Sequence, residues 1–130
     1  MTAWLEQRPE AAGHRVGYFG ASTGAAAALW SAADPSARIA AVVSRGGRPD
    51  LAAPRLGAVR APTLLIVGCY DDLVVELNRD AARQLQCEHR LEVVPGATHL
   101  FEEPGTLDAV ANLARQWFSE HLAPPARSAA

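Results

Sequence analysis

The chain contains no lysine; all 12 of its basic residues are arginine. That absence excludes a P-loop nucleotide site, which needs a lysine beside the phosphates. Cysteine is scarce. Cys69 and Cys87 form neither a C-x-x-C pair nor a metal-ligand cluster, and they read as reduced thiols of a cytosolic protein. No stretch reaches the ~18 apolar residues that a membrane span requires. The start, MTAWLEQRPE, has no apolar segment of the kind a secretion signal carries. An excess of charge of either sign is missing as well, since the formal net charge is −2. Electrostatics therefore favours neither nucleic acid nor an anionic membrane as a partner. A soluble, cytoplasmic protein is expected, with no metal and no cofactor.

What is present fits one globular domain: 130 residues, 49% hydrophobic and 20% charged, enough to bury a real core. No internal repeat is visible. Met1–Glu10 reads as the end of a helix. Arg15–Phe19 (RVGYF) reads as a strand, and Ser22–Ala33 as an alanine-rich helix stopped by Asp34-Pro35. Ile39–Val43 is a second strand, followed by a loop holding Pro49, Pro54 and Pro62. Thr63–Val67 is a third strand. Leu77, Ala81 and Leu85 recur every four residues, which predicts a helix over about 73–86. Leu91–Val94 is a fourth strand. From about Pro104 a helix runs to Leu122, with Leu107, Val110, Leu113, Ala114, Trp117 and Phe118 on one stripe. Strands this continuously apolar are buried on both faces. The order therefore predicts an α/β fold: a mostly parallel sheet of about four strands flanked by helices. In such sheets ligands bind beyond the carboxyl ends of the strands.

Directly after the first strand stands Gly20-Ala21-Ser22-Thr23-Gly24, a G-x-S-x-G sequence that opens a helix. A serine on so sharp a strand-to-helix turn has its hydroxyl pushed out at the end of the sheet. Both glycines are expected at points too crowded for a Cβ. The helix N-terminus sets backbone N–H groups, Thr23 first, where an oxyanion would develop. The competing reading is a plain glycine turn with Ser22 as helix N-cap.

A serine hydroxyl is a poor nucleophile without a base. The third strand ends in Gly68-Cys69-Tyr70-Asp71-Asp72, and the fourth in Pro95-Gly96-Ala97-Thr98-His99. Both follow strand ends, on the side where Ser22 lies. His99 can take the serine proton and return it to a leaving group, and Asp71 can hold the imidazole and stabilise its cation. The bland alternatives are a turn aspartate and a loop histidine. His14 precedes the first strand at the wrong end of the sheet. His89 falls in a polar turn, and His121 in the last turn of the final helix, where it suits the dipole.

The stretches VGYFGASTGAAAAL, AVVSRGGRPDLA, PTLLIVGCYDDLVVELN and LEVVPGATHLFEEPG resemble the α/β-hydrolase superfamily, close to its dienelactone hydrolase-like group. The resemblance runs from about Trp4 to Leu122. It implies Ser22 as nucleophile, His99 as base and Asp71 as acid, the G-x-x-D spacing from Gly68 selecting Asp71 over Asp72. Similar bacterial proteins occur alone and fused behind a phosphoribosyltransferase domain. Dienelactone hydrolases themselves carry a cysteine nucleophile, so the serine here argues against carrying over their substrate. In the family several strands come before the serine. The chain thus reads as the C-terminal portion of the fold, with an N-terminally truncated domain over 1–122 and a disordered tail at 123–130. The first strand would then lie at an open sheet edge, through which copies of the chain could pair.

Arg45 and Arg48 follow the second strand and are candidates to hold a substrate carboxylate or phosphate, Arg45 foremost; the alternative is a solvated loop. Leu73, Val74 and Phe101 could add an apolar wall. The expected function is a serine hydrolase acting on a small-molecule ester or related acyl bond through a Ser22–His99–Asp71 triad and an acyl-enzyme. The alternatives are an inactive hydrolase half serving as an interaction or structural module, and a nucleotide-binding unit built on Gly17, Gly20 and Gly24. Their spacing is not G-x-G-x-x-G, which counts against the last.

Overall fold

The computed structural model describes residues 16–36 and 38–122. The helix read at Met1–Glu10, His14 and the tail from Ala123 lie outside the described residues.

Strand and helix alternate along the described chain. β1 (Val16–Ala21) leads into α1 (Thr23–Ala32), then β2 (Ile39–Arg45), a 3-10 helix (Pro49–Ala58), β3 (Thr63–Gly68), α2 (Asp72–Gln84), β4 (His89–Val94) and α3 (Thr106–Leu122). The strands form one sheet in the order β1-β2-β3-β4, and all neighbours are parallel. β1 is thus an edge strand of the described sheet.

Successive side chains of a strand point to opposite faces, and this divides the core. Tyr18, Val42 and Leu65 pack on one face with Leu29 of α1, Leu56 of the 3-10 helix and Ala81 of α2. Ala41, Val43, Leu64 and Ile66 pack on the other with Val110 and Trp117 of α3. All six residues of β3 are buried, the environment of a central strand covered on both sides. No helix among the described residues is long and apolar enough to cross a membrane.

Four details depart from the sequence reading. The proline-bearing stretch after β2 is a ten-residue 3-10 helix rather than a loop, with Pro49 in its first turn and Pro54 inside. Proline lacks the N–H that an α-helix needs, whereas a tighter turn built on buried Ala52 and Leu56 still packs onto the sheet. On α2 the buried stripe is Val74, Val75, Asn78 and Ala81, with Leu77 only half-buried. On α3, Leu107 is 55% exposed and leaves the stripe. His89 starts β4 rather than sitting in a turn.

Register fixes what matters for a site. Ala21 pairs with Arg45, Arg45 with Ile66, and Gly68 with Val94. The carboxyl ends of all four strands therefore reach the same end of the sheet, and the segments that follow them converge there.

Candidate active site

Ser22 sits between β1 and α1 with φ 52° and ψ −125°. A left-handed conformation costs a non-glycine residue about 1–3 kcal/mol and persists only where its surroundings enforce it. Here the enforcement is visible. The Ser22 N–H donates to Arg45 O at 3.2 Å, and Ser22 O accepts the N–H of Arg48 at 3.1 Å and of Ala25 at 3.1 Å. The turn after β2 thus grips the backbone of Ser22 on both sides. Gly20 makes the turn sterically feasible, because a Cβ there would lie 2.6 Å from Gly24 O and 2.7 Å from Ala25 Cα. Gly24 does not share that constraint. Nothing lies within 4 Å of a Cβ built on it, so the expectation of a crowded second glycine fails; its side faces open space at the first turn of α1.

Although Ser22 directly precedes α1, its side chain makes no cap hydrogen bond. Its Oγ instead lies 3.0 Å from His99 Nε2. His99 Nδ1 lies 2.7 Å from Asp71 Oδ2. An ionised carboxylate only accepts, so Nδ1 carries the proton and Nε2 is left to accept from the serine O–H. The acid side of this chain is the drier, with the Asp71 side chain 17% exposed against 39% for His99. Asp72 is exposed in the first turn of α2, so the aspartate facing His99 is the one the G-x-x-D spacing selects.

The loop that carries His99 is built to a fixed shape. Tyr70 N–H donates to Ala97 O at 3.0 Å, and Cys69 N–H to Val94 O at 3.0 Å, which ties the Asp71 turn to the His99 loop. Gly68 permits this approach, since a Cβ there would meet Ala97 O at 2.4 Å. Beyond that, Glu103 accepts from Thr98 N–H at 3.1 Å and from Thr98 Oγ1 at 2.7 Å. These bonds hold the Glu103 carboxyl below its ordinary 4.5. Phe101, with φ 56°, turns inward and is 2% exposed. From the β2 side, Gly46 packs against the imidazole, and a Cβ on it would lie 3.3 Å from ring atoms Cε1 and Nδ1.

Thr23 is the first residue of α1, where an N–H has no partner within the helix. Arg45 ends β2, and its guanidinium stands 5.7 Å from the centroid of the Phe101 ring. Its Nε is buried without a hydrogen-bond partner, and none of the ion pairs among the described residues involves it. Arg48 differs: Nε and Nη2 bind both carboxylate oxygens of Asp50 at 2.9 Å. That fork engages the Nε and Nη2 of the Arg48 guanidinium on Asp50. Leu73 is 70% exposed, while Val74 and Phe101 are buried in the core. Both cysteines are free, and burial raises the Cys87 thiol above its ordinary value, so it is a poor nucleophile. Sequence reasoning missed Asn78, a buried polar side chain inside the apolar pattern of α2. No signal in the sequence marked it, because asparagine at that spacing reads as a surface residue.

The Dienelactone hydrolase family profile matches residues 1–122. The chain belongs to the dienelactone hydrolase family. A dienelactone hydrolase from Anabaena variabilis is similar in sequence and structure, with 56% identity and a TM-score of 0.87, over 94% of this chain and 56% of that one. The dienelactone hydrolase-like promiscuous phosphotriesterase P91, from metagenomic libraries, shares the α/β-hydrolase fold at 20% identity, with a TM-score of 0.73 over 94% of this chain and 59% of that one. Two Mycobacterium tuberculosis proteins, from different strains and both named "Putative phosphoribosyl transferase", are 60% identical over 98% of this chain. The chain spans only 29% of the length of these curated relatives.

Proposed function

We propose that the chain is a serine hydrolase that cleaves an ester or related acyl bond through an acyl-enzyme, with Ser22 as nucleophile, His99 as base and Asp71 as the residue that orients the base. The observation that carries this reading is the unbroken hydrogen-bonded chain: Ser22 Oγ 3.0 Å from His99 Nε2, and His99 Nδ1 2.7 Å from Asp71 Oδ2. Hydrogen-bond reach between nucleophile and base, with a third group orienting the base, is the geometry that activates a serine. The strained backbone of Ser22 supports it further, because strain of this kind gathers at functional sites.

The steps follow from the atoms. Ser22 Oγ attacks the acyl carbon as its proton passes to His99 Nε2. The carbonyl oxygen becomes an oxyanion beside the N–H of Thr23, at the positive end of α1. Collapse expels the alcohol, which takes the proton from His99. Water then repeats the sequence against the acyl-enzyme and frees the acid. Arg45 is the substrate-binding residue in this reading: its backbone carbonyl holds the Ser22 N–H, and its guanidinium, which has no ion pair among the described residues, can bind an acidic group on the substrate.

The name carried by the Mycobacterium tuberculosis relatives describes proteins of which this chain spans 29%, and the part aligned with it is the part that matches the hydrolase family. The name therefore does not redirect the reading of this domain.

A fluorophosphonate probe tests the proposal, since it labels an activated serine. Ser22 is expected to be the labelled residue, Ser22→Ala to abolish labelling, and His99→Ala to slow it by about 10²-fold or more. Labelling that persists in Ser22→Ala would place the reactive group elsewhere and end this reading.

A further inference from the structure

Asn78 is fully buried on α2, between Val74 and Ala81 on the inward stripe. Its Nδ2 donates to Val74 O at 2.8 Å and to Gly47 O at 3.1 Å. Both partners are carbonyls, so the orientation of the amide is chemically determined rather than ambiguous. Its Oδ1 is buried without a hydrogen-bond partner. Burying an amide oxygen unsatisfied is unfavourable, and an aliphatic residue would fill the same stripe without that penalty. The bond to Val74 O lies within one helical turn and organises nothing beyond α2. The bond to Gly47 O is different, because it joins two elements distant in sequence.

Gly47 is the middle of the turn that touches both ends of the Ser22–His99 pair. Its predecessor Gly46 packs on the His99 ring and is anchored by its own N–H to Ile66 O at 2.7 Å. Its successor Arg48 donates its N–H to Ser22 O. The turn has no slack on its other side either, since a Cβ on Gly47 would lie 2.2 Å from Ser44 Oγ and 2.4 Å from Ala25 Cβ. The helix that supplies the clamp is the one that starts immediately after Asp71. One side chain therefore fixes the helix that follows the acid to the turn that holds the nucleophile backbone and backs the imidazole.

We propose that Asn78 is a positioning residue for the hydrolysis: its bond to Gly47 O holds the Gly46–Arg48 turn against Ser22 and His99 and so keeps the strained serine aligned with its base. The inference rests on the proposed hydrolase function. Misalignment by about 1 Å from a distant change costs on the order of 10²-fold in rate, so one buried bond at this point has leverage on chemistry beyond its part in stability.

The experiment uses Asn78→Leu, which keeps the branched shape but enlarges the side chain and removes the bond, and Asn78→Ser, a smaller side chain that guards against misfolding of the first by overpacking. Each is made alone and together with His99→Ala. Two quantities are read: the rate of Ser22 labelling by a fluorophosphonate, and the hydrogen-exchange protection of the Arg48 amide. In the proteins that retain a cooperative thermal transition, labelling is expected to fall by about 10- to 100-fold and Arg48 protection to drop. In the His99→Ala background the Asn78 change is expected to add little, because the alignment it serves is already gone. An equal loss of labelling in both backgrounds would mean a structural role only and overturns the proposal. So does unchanged Arg48 protection. If the unaltered protein shows no labelling at Ser22, the hydrolase reading fails by itself and the positioning role falls with it. A drop in Arg48 protection in the variants then still separates that failure from the absence of a clamp.

Discussion

Ser22 shows how much of a site can rest on one residue's backbone. Its φ of 52° points the hydroxyl at His99, and Gly20 leaves room for the turn that imposes this angle. The two glycines of the G-x-S-x-G sequence look equivalent on paper but meet different surroundings. A Cβ on Gly20 would collide with the backbone of Gly24 and Ala25, which cannot give way cheaply. Gly20→Ala is therefore expected to destabilise the fold, by about 1–3 kcal/mol as overpacking usually does, and to abolish Ser22 labelling. Gly24→Ala adds a methyl in open space at a helical position where alanine is favoured, and is expected to leave melting temperature and labelling unchanged or slightly raised. Parallel thermal melts and probe assays separate the two; equal effects would show that the turn is not constrained as described. Arg45 is tested at the same scale. Arg45→Gln is expected to raise KM for a p-nitrophenyl ester bearing a carboxylate on its acyl group, with little change for p-nitrophenyl acetate. Equal losses on both would remove Arg45 from substrate binding.

At the scale of elements, the site depends on how the loop after β4 is held. Thr98 precedes His99, and the Glu103 carboxylate accepts both its N–H and its hydroxyl. Those bonds, side chain first, lower the Glu103 pKa from 4.5. A carboxyl depressed by folding adds order above its unfolded value, and that contribution is lost as the pH falls through the lower, folded one. Loop order around His99 is thus expected to weaken on acidification below about 4.5. In Glu103→Gln the acid-dependent part should vanish, because the amide does not titrate. Amide exchange at Thr98, followed against pH in both proteins, checks this; identical profiles would show that Glu103 does not hold the loop. The 3-10 helix carries a related lesson. Its prolines rule out a regular α-helix, yet its buried Ala52 and Leu56 cover the same sheet face as α1 and α2.

For the whole molecule, the sheet order leaves β1 with a single described neighbour. Phe19 on that strand is 42% exposed. Edge strands with apolar surface pair readily with other chains. The 130-residue chain is accordingly expected to self-associate through β1, with a mass in light scattering that rises with concentration. A single monomeric mass across the micromolar range would show that the edge is protected. Ester turnover measured on the same samples tells whether association accompanies activity.

The sequence by itself determined a good deal. Strand–helix alternation set the α/β class, because apolar runs such as Thr63–Val67 can be buried on both faces only in a covered parallel sheet. It marked Ser22, Asp71 and His99, because each follows the end of a strand, and parallel strands bring those ends together. What it could not fix was decided by contacts between distant residues. Only tertiary structure shows that Ser22 bonds to His99 rather than capping α1, since both uses require the same residue at the same place. Only packing separates Gly20 from Gly24, and only the fold shows Arg48 forked onto Asp50 while Arg45 has no ion pair among the described residues. Asn78 was illegible for the same reason. A polar residue at helical spacing belongs to the solvent face by local rules, and only the approach of the Gly47 carbonyl from another element turns it into a buried clamp.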